Sequence, residues 1–490
     1  MSLKQQALSG MVWSSIQTFG NQFISFGVSI VLARLLLPAE FGLIGMMGIF
    51  MGIGGALINS GLTSSIIRTT DPDQADYSTV FVFNLLGSVV VYVLMFVAAP
   101  YIADFFGQPI LTKITRLYTL TFIIGALAAV QLARFHKNLD FKSETKASLT
   151  STACAAIVGI ALAYNGFGVM SLVWMALAGG LVNMLMLWVQ SRWKPSLIFD
   201  RQKFRIHFGF GSRMMFSGIL DTLFTNAYTL LIGKFYNAAQ LGFYTRADTL
   251  KQLPVSTFIG VLNKVTYPLF AEIKDDDVRL KSVYKQIMKM VIFIIAPMLM
   301  LMGVLAEPLF RFLFTDKWLP AAPYFQILCG AGVLYPLHAY NLNILQVKGR
   351  SDLFLRLEVI KKVLLAIILV ASFSFGIYGL LWGQVIFSAA AFFINTHFSG
   401  KFIKYTSWEQ LIDILPALVL SAAAGILVFF IDRALAGFPD LLRLAAGGMS
   451  GVVFFLIFAR IFKFEAEKTI AQLLNKKLKI SIPLKFNRYS

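Results

Sequence analysis

VLARLLLPAEFGLI, residues 31–44, lies without gaps over LIGKFYNAAQLGFY, residues 231–244. Arg34 then meets Lys234, Ala39 meets Ala239, Glu40 meets Gln240 and Gly42 meets Gly242. Further along, Leu57-Ile58-Asn59 matches Val261-Leu262-Asn263 if the second copy carries about one extra helical turn. Phe167-Gly168-Val169-Met170 likewise matches Tyr378-Gly379-Leu380-Leu381. Apolar segments resemble one another by chance, so each match alone is weak. Matches in the same order at offsets of 200 to 211 point to a duplicated unit of about six helices.

The chain around these stretches is built of blocks that suit hydrocarbon. Hydrophobic residues make up 58% of the 490 and charged residues 14%, far from a soluble globular composition. A spanning helix needs about 20 apolar residues to cross roughly 30 Å. Stretches near 10–33, 41–62, 79–101, 114–133, 147–165, 168–190, 209–232, 243–270, 288–314, 321–346, 357–375, 377–398, 411–432 and 441–462 meet that length. The expectation is an all-α polytopic membrane protein of about fourteen transmembrane helices. It divides into an N-terminal lobe (1–200), a C-terminal lobe (201–400), two additional helices (401–465) and a basic tail (466–490). An even number of helices per copy makes the lobes parallel repeats, and such a pair encloses a cavity that can open to either side. The first span is polar at Gln17, Asn21 and Gln22 and lacks a small-residue cleavage site, so it reads as a retained helix rather than a signal peptide.

The net charge of +19 could suggest nucleic acid, but its distribution argues for topology. With the N-terminus cytoplasmic and the helices alternating, most lysines and arginines fall in inward loops. The outward connections keep only Arg34, Lys113, Arg116, Lys234, Arg311, Lys317, Arg433 and Arg443. That sorting follows the positive-inside rule and places both termini in the cytoplasm. The basic loops suit anionic lipid headgroups, and no nucleic-acid partner is implied. Cys154 and Cys329 lie in separate apolar spans, and His136, His207, His338 and His397 are scattered, so neither a disulfide framework nor a metal centre is expected. No phosphate-binding GxxxxGK[ST] occurs.

Polar groups within spans are the functional candidates. On the first helix Ser14, Thr18, Asn21, Ser25 and Ser29 form a stripe within roughly 80°. It reads either as cavity lining or as helix-to-helix hydrogen bonding, and both readings stay open. In the second half, Arg213, Ser217, Asp221 and Thr225 occupy the equivalent helix, with Asp221 at the position of Asn21. The next helix adds Arg246, Asp248, Lys251 and Lys264, and Pro254 is expected to kink it. These groups form either an ion-pair network or the lining of a cationic lumen. Counting Arg246, Lys251 and Lys264 against Asp221 and Asp248 leaves a positive surplus, which suits a phosphate or pyrophosphate headgroup. Asp221, and beside it Asp248, are the candidates for coupling to a sodium or proton gradient. Asp71-Pro72-Asp73 and Asp275-Asp276-Asp277 read as turn and loop acids, and the glycines from Gly45 to Gly55 as a packing device.

The run from Gly10 through Met46, the segment NSGLTSSIIRTTD, the loop ARFHKNLDFK, NGFGVMSLV and FYTRADTLKQLPVSTFIGVLNKVTYPLFAEIKDD together resemble the Wzx-type polysaccharide flippases. The colanic-acid exporter branch is the nearest in pattern, and the likeness covers the first 400 or so residues. It implies membership of the multidrug/oligosaccharidyl-lipid/polysaccharide (MOP) exporter superfamily and alternating access. The implied substrate is an undecaprenyl-pyrophosphate-linked oligosaccharide, flipped to the outer leaflet of the bacterial inner membrane. The resemblance also implies a cationic lumen, which in this chain falls on Arg213, Arg246, Lys251 and Lys264. No cofactor beyond a coupling ion is implied, and the partners are membrane lipids and polysaccharide polymerase or export machinery. The competing readings are a small-molecule antiporter of the same superfamily and a membrane glycan polymerase or ligase. The former would want an acidic or aromatic cavity. The latter usually presents a large outward loop, and the outward loops here are short.

Overall fold

The computed structural model describes residues 3–58, 61–196 and 198–468, with the side chains of 3–8, 210, 213, 214, 257, 261–265 and 339 outside the description. Regular structure among the described residues is entirely helical. The chain divides into two units, Met1–Thr245 and Arg246–Ser490.

The first unit holds α1 (Leu3–Leu35), α2 (Pro38–Ile58), the short α3 (Leu62–Arg68), α4 (Gln74–Phe106), α5 (Ile110–Tyr118), α6 (Leu120–Lys137), α7 (Phe141–Tyr164), α8 (Val169–Ser191), α9 (Arg201–Thr225), α10 (Ala227–Phe235) and the first turns of α11 (Ala238–Glu272). The second continues α11 and adds α12 (Asp277–Val304), α13 (Ala306–Phe314), a 3-10 turn (Asp316–Ala321), α14 (Ala322–Val333), α15 (Tyr335–Val347), α16 (Ser351–Phe373), α17 (Gly376–Ile403), α18 (Ser407–Ala434) and α19 (Asp440–Ile461).

Among the described residues, 10 spans are long and apolar enough to cross a bilayer, α5 and α6 together counting as one; the end of α9 with α10, bent by 49°, makes up to 11. The remaining expected spans lie in α11, in α14 with α15, and in α16. Their departure from a uniform apolar rod has visible causes. Arg246, Asp248 and Lys251 charge α11; Arg356, Glu358, Lys361 and Lys362 charge α16; and Leu334, followed by Pro336, interrupts α14–α15. The expected span 209–232 is likewise broken at Asn226, whose amide folds back to the Thr222 carbonyl at 2.9 Å.

The two matched stretches build the same local structure. Each ends a helix, breaks for two residues and starts another. In the first copy the Leu37 amide donates to Glu40 Oε2 at 2.7 Å. In the second the Asn237 amide donates to Gln240 Oε1 at 3.5 Å, the equivalent bond, and the Gln240 amide returns to Asn237 Oδ1 at 2.8 Å. Within the first unit these copies also meet. A Cβ on Gly42 would strike the carbonyl oxygen of Ala238 and lie 3.1 Å from the Gly242 nitrogen. A Cβ on Gly242 would strike the Pro38 carbonyl oxygen and lie 3.3 Å from the Gly42 nitrogen. The backbones therefore cross at a distance that only glycine permits on both sides. Further along α2, Gly45 faces Thr245 and Gly52 faces Thr222. The glycines of α2 thus admit α11 and α9, and α9 also packs on α3 and α4. This packing groups α9 and α10 with the first unit, although the sequence repeat begins its second copy near residue 201.

One end of the first unit is held by a polar clasp. Asp73 caps α4 reciprocally with Asp76. Asp76 also accepts from Lys203 at 3.0 Å and lies 3.2 Å from His207 Nε2, while His207 Nδ1 is 2.8 Å from Ser65 Oγ. Lys203 pairs with Asp73 as well. That ion pair holds the Asp73 carboxyl well below its ordinary range, with help from the Asp76 amide. The His207 ring is buried, so α3, α4 and α9 close over it. In the second unit Asp413 of α18 accepts from Lys285 at 2.7 Å, from Lys289 at 3.3 Å and from the Tyr405 hydroxyl at 2.5 Å. At the far end of α18, buried Arg443 makes a two-pronged bond to Asp432 at 2.9 and 2.8 Å, and Arg311 reaches Asp440 at 3.3 Å.

Candidate functional site

α11 gathers the charged groups singled out in the sequence. Arg246, 7% exposed, lays its guanidinium over two aromatic faces, 5.1 Å from the Phe314 ring centre and 5.2 Å from that of Trp318. Both rings are fully buried and pack on each other at 6.1 Å. Desolvation disfavours a buried cation, and a desolvated guanidinium over such faces gains about 2 kcal/mol. The platform therefore keeps the charge in place. Five residues on, Lys251 runs its stem against Gly332 of α14 and donates to Asp248 Oδ1 at 2.5 Å. Asp248 and Lys251 thus neutralise each other as an i,i+3 pair.

The other predicted site residues distribute differently. The side chains of Arg213 and Lys264 lie outside the described residues. Asp221 is exposed on α9, one turn before that helix ends. On α1 the stripe divides. Asn21 donates to Ser148 Oγ at 2.7 Å and accepts from Thr152 at 2.9 Å, and neighbouring Gln17 donates to Glu144 at 3.2 Å. Asn21 therefore fastens α1 to α7, the helix-to-helix reading of that position. Ser14 is partly buried and accepts the Thr18 hydroxyl on its carbonyl at 2.8 Å, while Thr18 and Ser25 remain exposed. The apolar face of α1 at Met11, Val12, Ile16 and Phe19 is exposed. Phe314 and Trp318 escape sequence reasoning, since aromatics are plentiful and only the fold brings these two beneath Arg246. Among the described residues no His, Cys, Asp and Glu cluster could hold a metal, and both cysteines are free.

The fold is that of a class of multi-pass membrane transporters. The solved structure of the lipid II flippase MurJ in an inward closed conformation superimposes with a TM-score of 0.71 at 13% identity, covering 92% of this chain and 99% of that one. A multidrug resistance MATE family transporter of the MOP superfamily, inward-facing, gives 0.60 at 16% identity, over 81% of this chain and 99% of that one. Within that class the chain belongs to the polysaccharide biosynthesis protein family Polysacc_synt_3, whose profile matches residues 31–323. Curated relatives agree over most of their length. The teichuronic acid biosynthesis protein TuaB of Bacillus subtilis (strain 168) is 25% identical over 87% of this chain and 89% of its own. The lipopolysaccharide biosynthesis protein WzxC of Escherichia coli (strain K12) is 25% identical over the same shares.

Proposed function

We propose that the chain is a flippase that moves an undecaprenyl-pyrophosphate-linked oligosaccharide across the bacterial inner membrane by alternating access, supplying surface polysaccharide synthesis. It transports and does not catalyse. The observation that carries this reading is buried Arg246, held over Phe314 and Trp318 in the fold of a lipid II flippase. A fixed guanidinium suits a phosphate better than a lysine does, because its donors form a planar fork. Lys251 follows Arg246 five residues along α11, and Arg213 and Lys264 are the further cations the sequence offers. The apolar face of α1 suits the isoprenoid tail and the hydroxyls of Thr18 and Ser25 suit the sugar. The clasp end of each unit, rich in Lys and Arg, faces the cytoplasm along with both termini. Coupling to an ion gradient through Asp221 and Asp248, and delivery to a polymerase, complete the reading.

The test is flipping of a fluorescent undecaprenyl-pyrophosphate oligosaccharide in proteoliposomes, with wild type set against Arg246→Ala and Lys264→Ala. Transport by wild type and its loss in both folded variants supports the proposal. A wild type that moves none of several such lipids, and instead exports organic cations, replaces it with the antiporter reading suggested by the MATE-like fold.

A further inference from the structure

The second unit contains a buried polar ladder that the phosphate reading does not use. α17 carries Ser388, Asn395 and Ser399 at steps of seven and four, one helix face, and α15 presents His338 and Asn341 opposite them. Ser388, Asn341, Asn395 and Ser399 are all buried, while His338 is partly exposed. Ser399 bonds to Asn341 Oδ1, and the Asn341 amide returns to the Leu337 carbonyl at 2.9 Å.

The hydrogens at His338 can be placed by elimination. Ser388 Oγ gives its proton to the Ala331 carbonyl at 2.9 Å, so toward His338 Nε2, 3.3 Å away, it can only accept. Nε2 therefore carries hydrogen. His338 Nδ1 is 3.5 Å from the Asn395 amide nitrogen, a donor, so Nδ1 is the bare lone pair of a neutral ring. The Asn395 amide oxygen, meanwhile, is buried with no hydrogen-bond partner among the described residues. A protonated ring would need an acceptor at Nδ1, and a half-turn of the Asn395 amide supplies that oxygen without moving either backbone. We propose that His338 is a proton-binding site of the transport cycle, and that the Asn395 amide turns over to accommodate the bound proton.

The surroundings tie occupancy to helix position. α12, α14, α16 and α17 pack against α15. From α16, Lys361 acts electrostatically on the ring and is itself held by Glu358 at 2.5 Å. α12 brings Tyr284 and three lysines, Lys281, Lys285 and Lys289, that are engaged with Glu409, Asp413 and Glu465. α14 brings Tyr324 and Cys329, and α17 brings Tyr378, His397 and Lys401. With Lys361 close, a second positive charge at His338 is opposed. Withdrawal of α16 lifts that opposition, so proton uptake and a shift of α16 favour each other. This coupling rests on the transporter reading for its purpose, but the proton site stands on the geometry.

The experiment is a pH titration of 15N-histidine-labelled full-length protein in lipid by solid-state NMR, without transport substrate. The His338 resonance is the one absent from His338→Gln. It is expected to be neutral at pH 7 and to pass to doubly protonated only on acidification toward about pH 3–4, since desolvation and Lys361 both oppose the second charge. Asn395→Asp, which presents a fixed acceptor and a negative charge, is expected to raise that midpoint by about 1–3 pH units. His136→Gln, His207→Gln and His397→Gln, each removing a different resonance, identify it by elimination even if His338→Gln fails to fold. A His338 signal that stays neutral across the range, or a midpoint that Asn395→Asp leaves unmoved, overturns the proposal. Because the readout needs no lipid-linked sugar, failure of the flippase reading would leave this result intact.

Discussion

The crossing of Gly42 and Gly242 makes a prediction whose sign is decided by the structure. In an unobstructed helix, Gly→Ala stabilises by about 0.5–1 kcal/mol, because alanine gives up less chain entropy. At Gly42 the added methyl would lie inside the contact radius of the Ala238 carbonyl oxygen and 2.7 Å from its carbon. These are backbone atoms, so no side chain can swing aside and the two helices must separate by roughly 1 Å. Overpacking of this kind costs about 1–3 kcal/mol. Subtracting the propensity gain leaves a net loss of about 0–2.5 kcal/mol, or up to roughly 10 °C in melting temperature for a unit of this size. Gly125 on α6 has nothing within 4 Å of its own Cβ position, so Gly125→Ala should melt about 1–4 °C higher. The double variant Gly42→Ala with Gly242→Ala should fall short of the summed losses, because both methyls open the same crossing. Detergent-solubilised protein followed by size-exclusion chromatography after heating reads all of these. If Gly42→Ala melts with or above Gly125→Ala, the close crossing does not exist as described.

Other outcomes follow from the polar contacts. Asp76→Asn weakens the bonds to Lys203 and buried His207 and should destabilise by about 1–3 kcal/mol, measured as a fall in melting temperature. Lys203 holds the Asp73 carboxyl below its ordinary range, so the native state binds this proton later than the unfolded chain does. The contribution is present above the ordinary carboxylate value of about 4 and is lost as pH falls below it. The melting temperature of wild type should therefore drop more steeply on acidification than that of Asp73→Asn. Arg443→Met strands Asp432 and should cost about 3–5 kcal/mol, while Arg443→Met combined with Asp432→Leu should recover most of it. Arg246→Lys keeps the charge but loses the planar fit to Phe314 and Trp318, so flipping should fall between that of wild type and Arg246→Ala.

The helical membrane class was legible because a bilayer imposes a length on every span, and that length is written in runs of apolar residues; of the fourteen expected spans, 10 to 11 are long and apolar enough among the described residues. The two fourteen-residue stretches announced the same helix–break–helix at both sites, with Glu40 and Gln240 at matching positions. The meeting of those stretches was not legible, because a repeat says that two segments fold alike without saying that they touch. Charge along α11 marked Arg246 and Lys251, yet only three-dimensional packing separates them, one over aromatic rings and the other spent on Asp248. Asn21 shows the opposite limit: its position in a polar stripe was evident, but its partners Ser148 and Thr152 come from a helix more than a hundred residues away. His338 looked like one of four scattered histidines because Ser388 and Asn395 lie 50 and 57 positions along the chain.

Where Gly42 faces Gly242, each position meets its own counterpart, and the Pro38 and Ala238 carbonyls beside them exchange places in the same way. Such reciprocal contacts are the mark of an isologous interface, the kind formed by two identical subunits about a two-fold axis. A single-copy ancestor pairing with itself would have pressed one glycine against its twin, and one mutation there would have struck both sides at once. In a single chain the two sides of the crossing can change independently. One could then keep a neutral, amide-bearing first helix while the other accumulated arginine, lysine and aspartate.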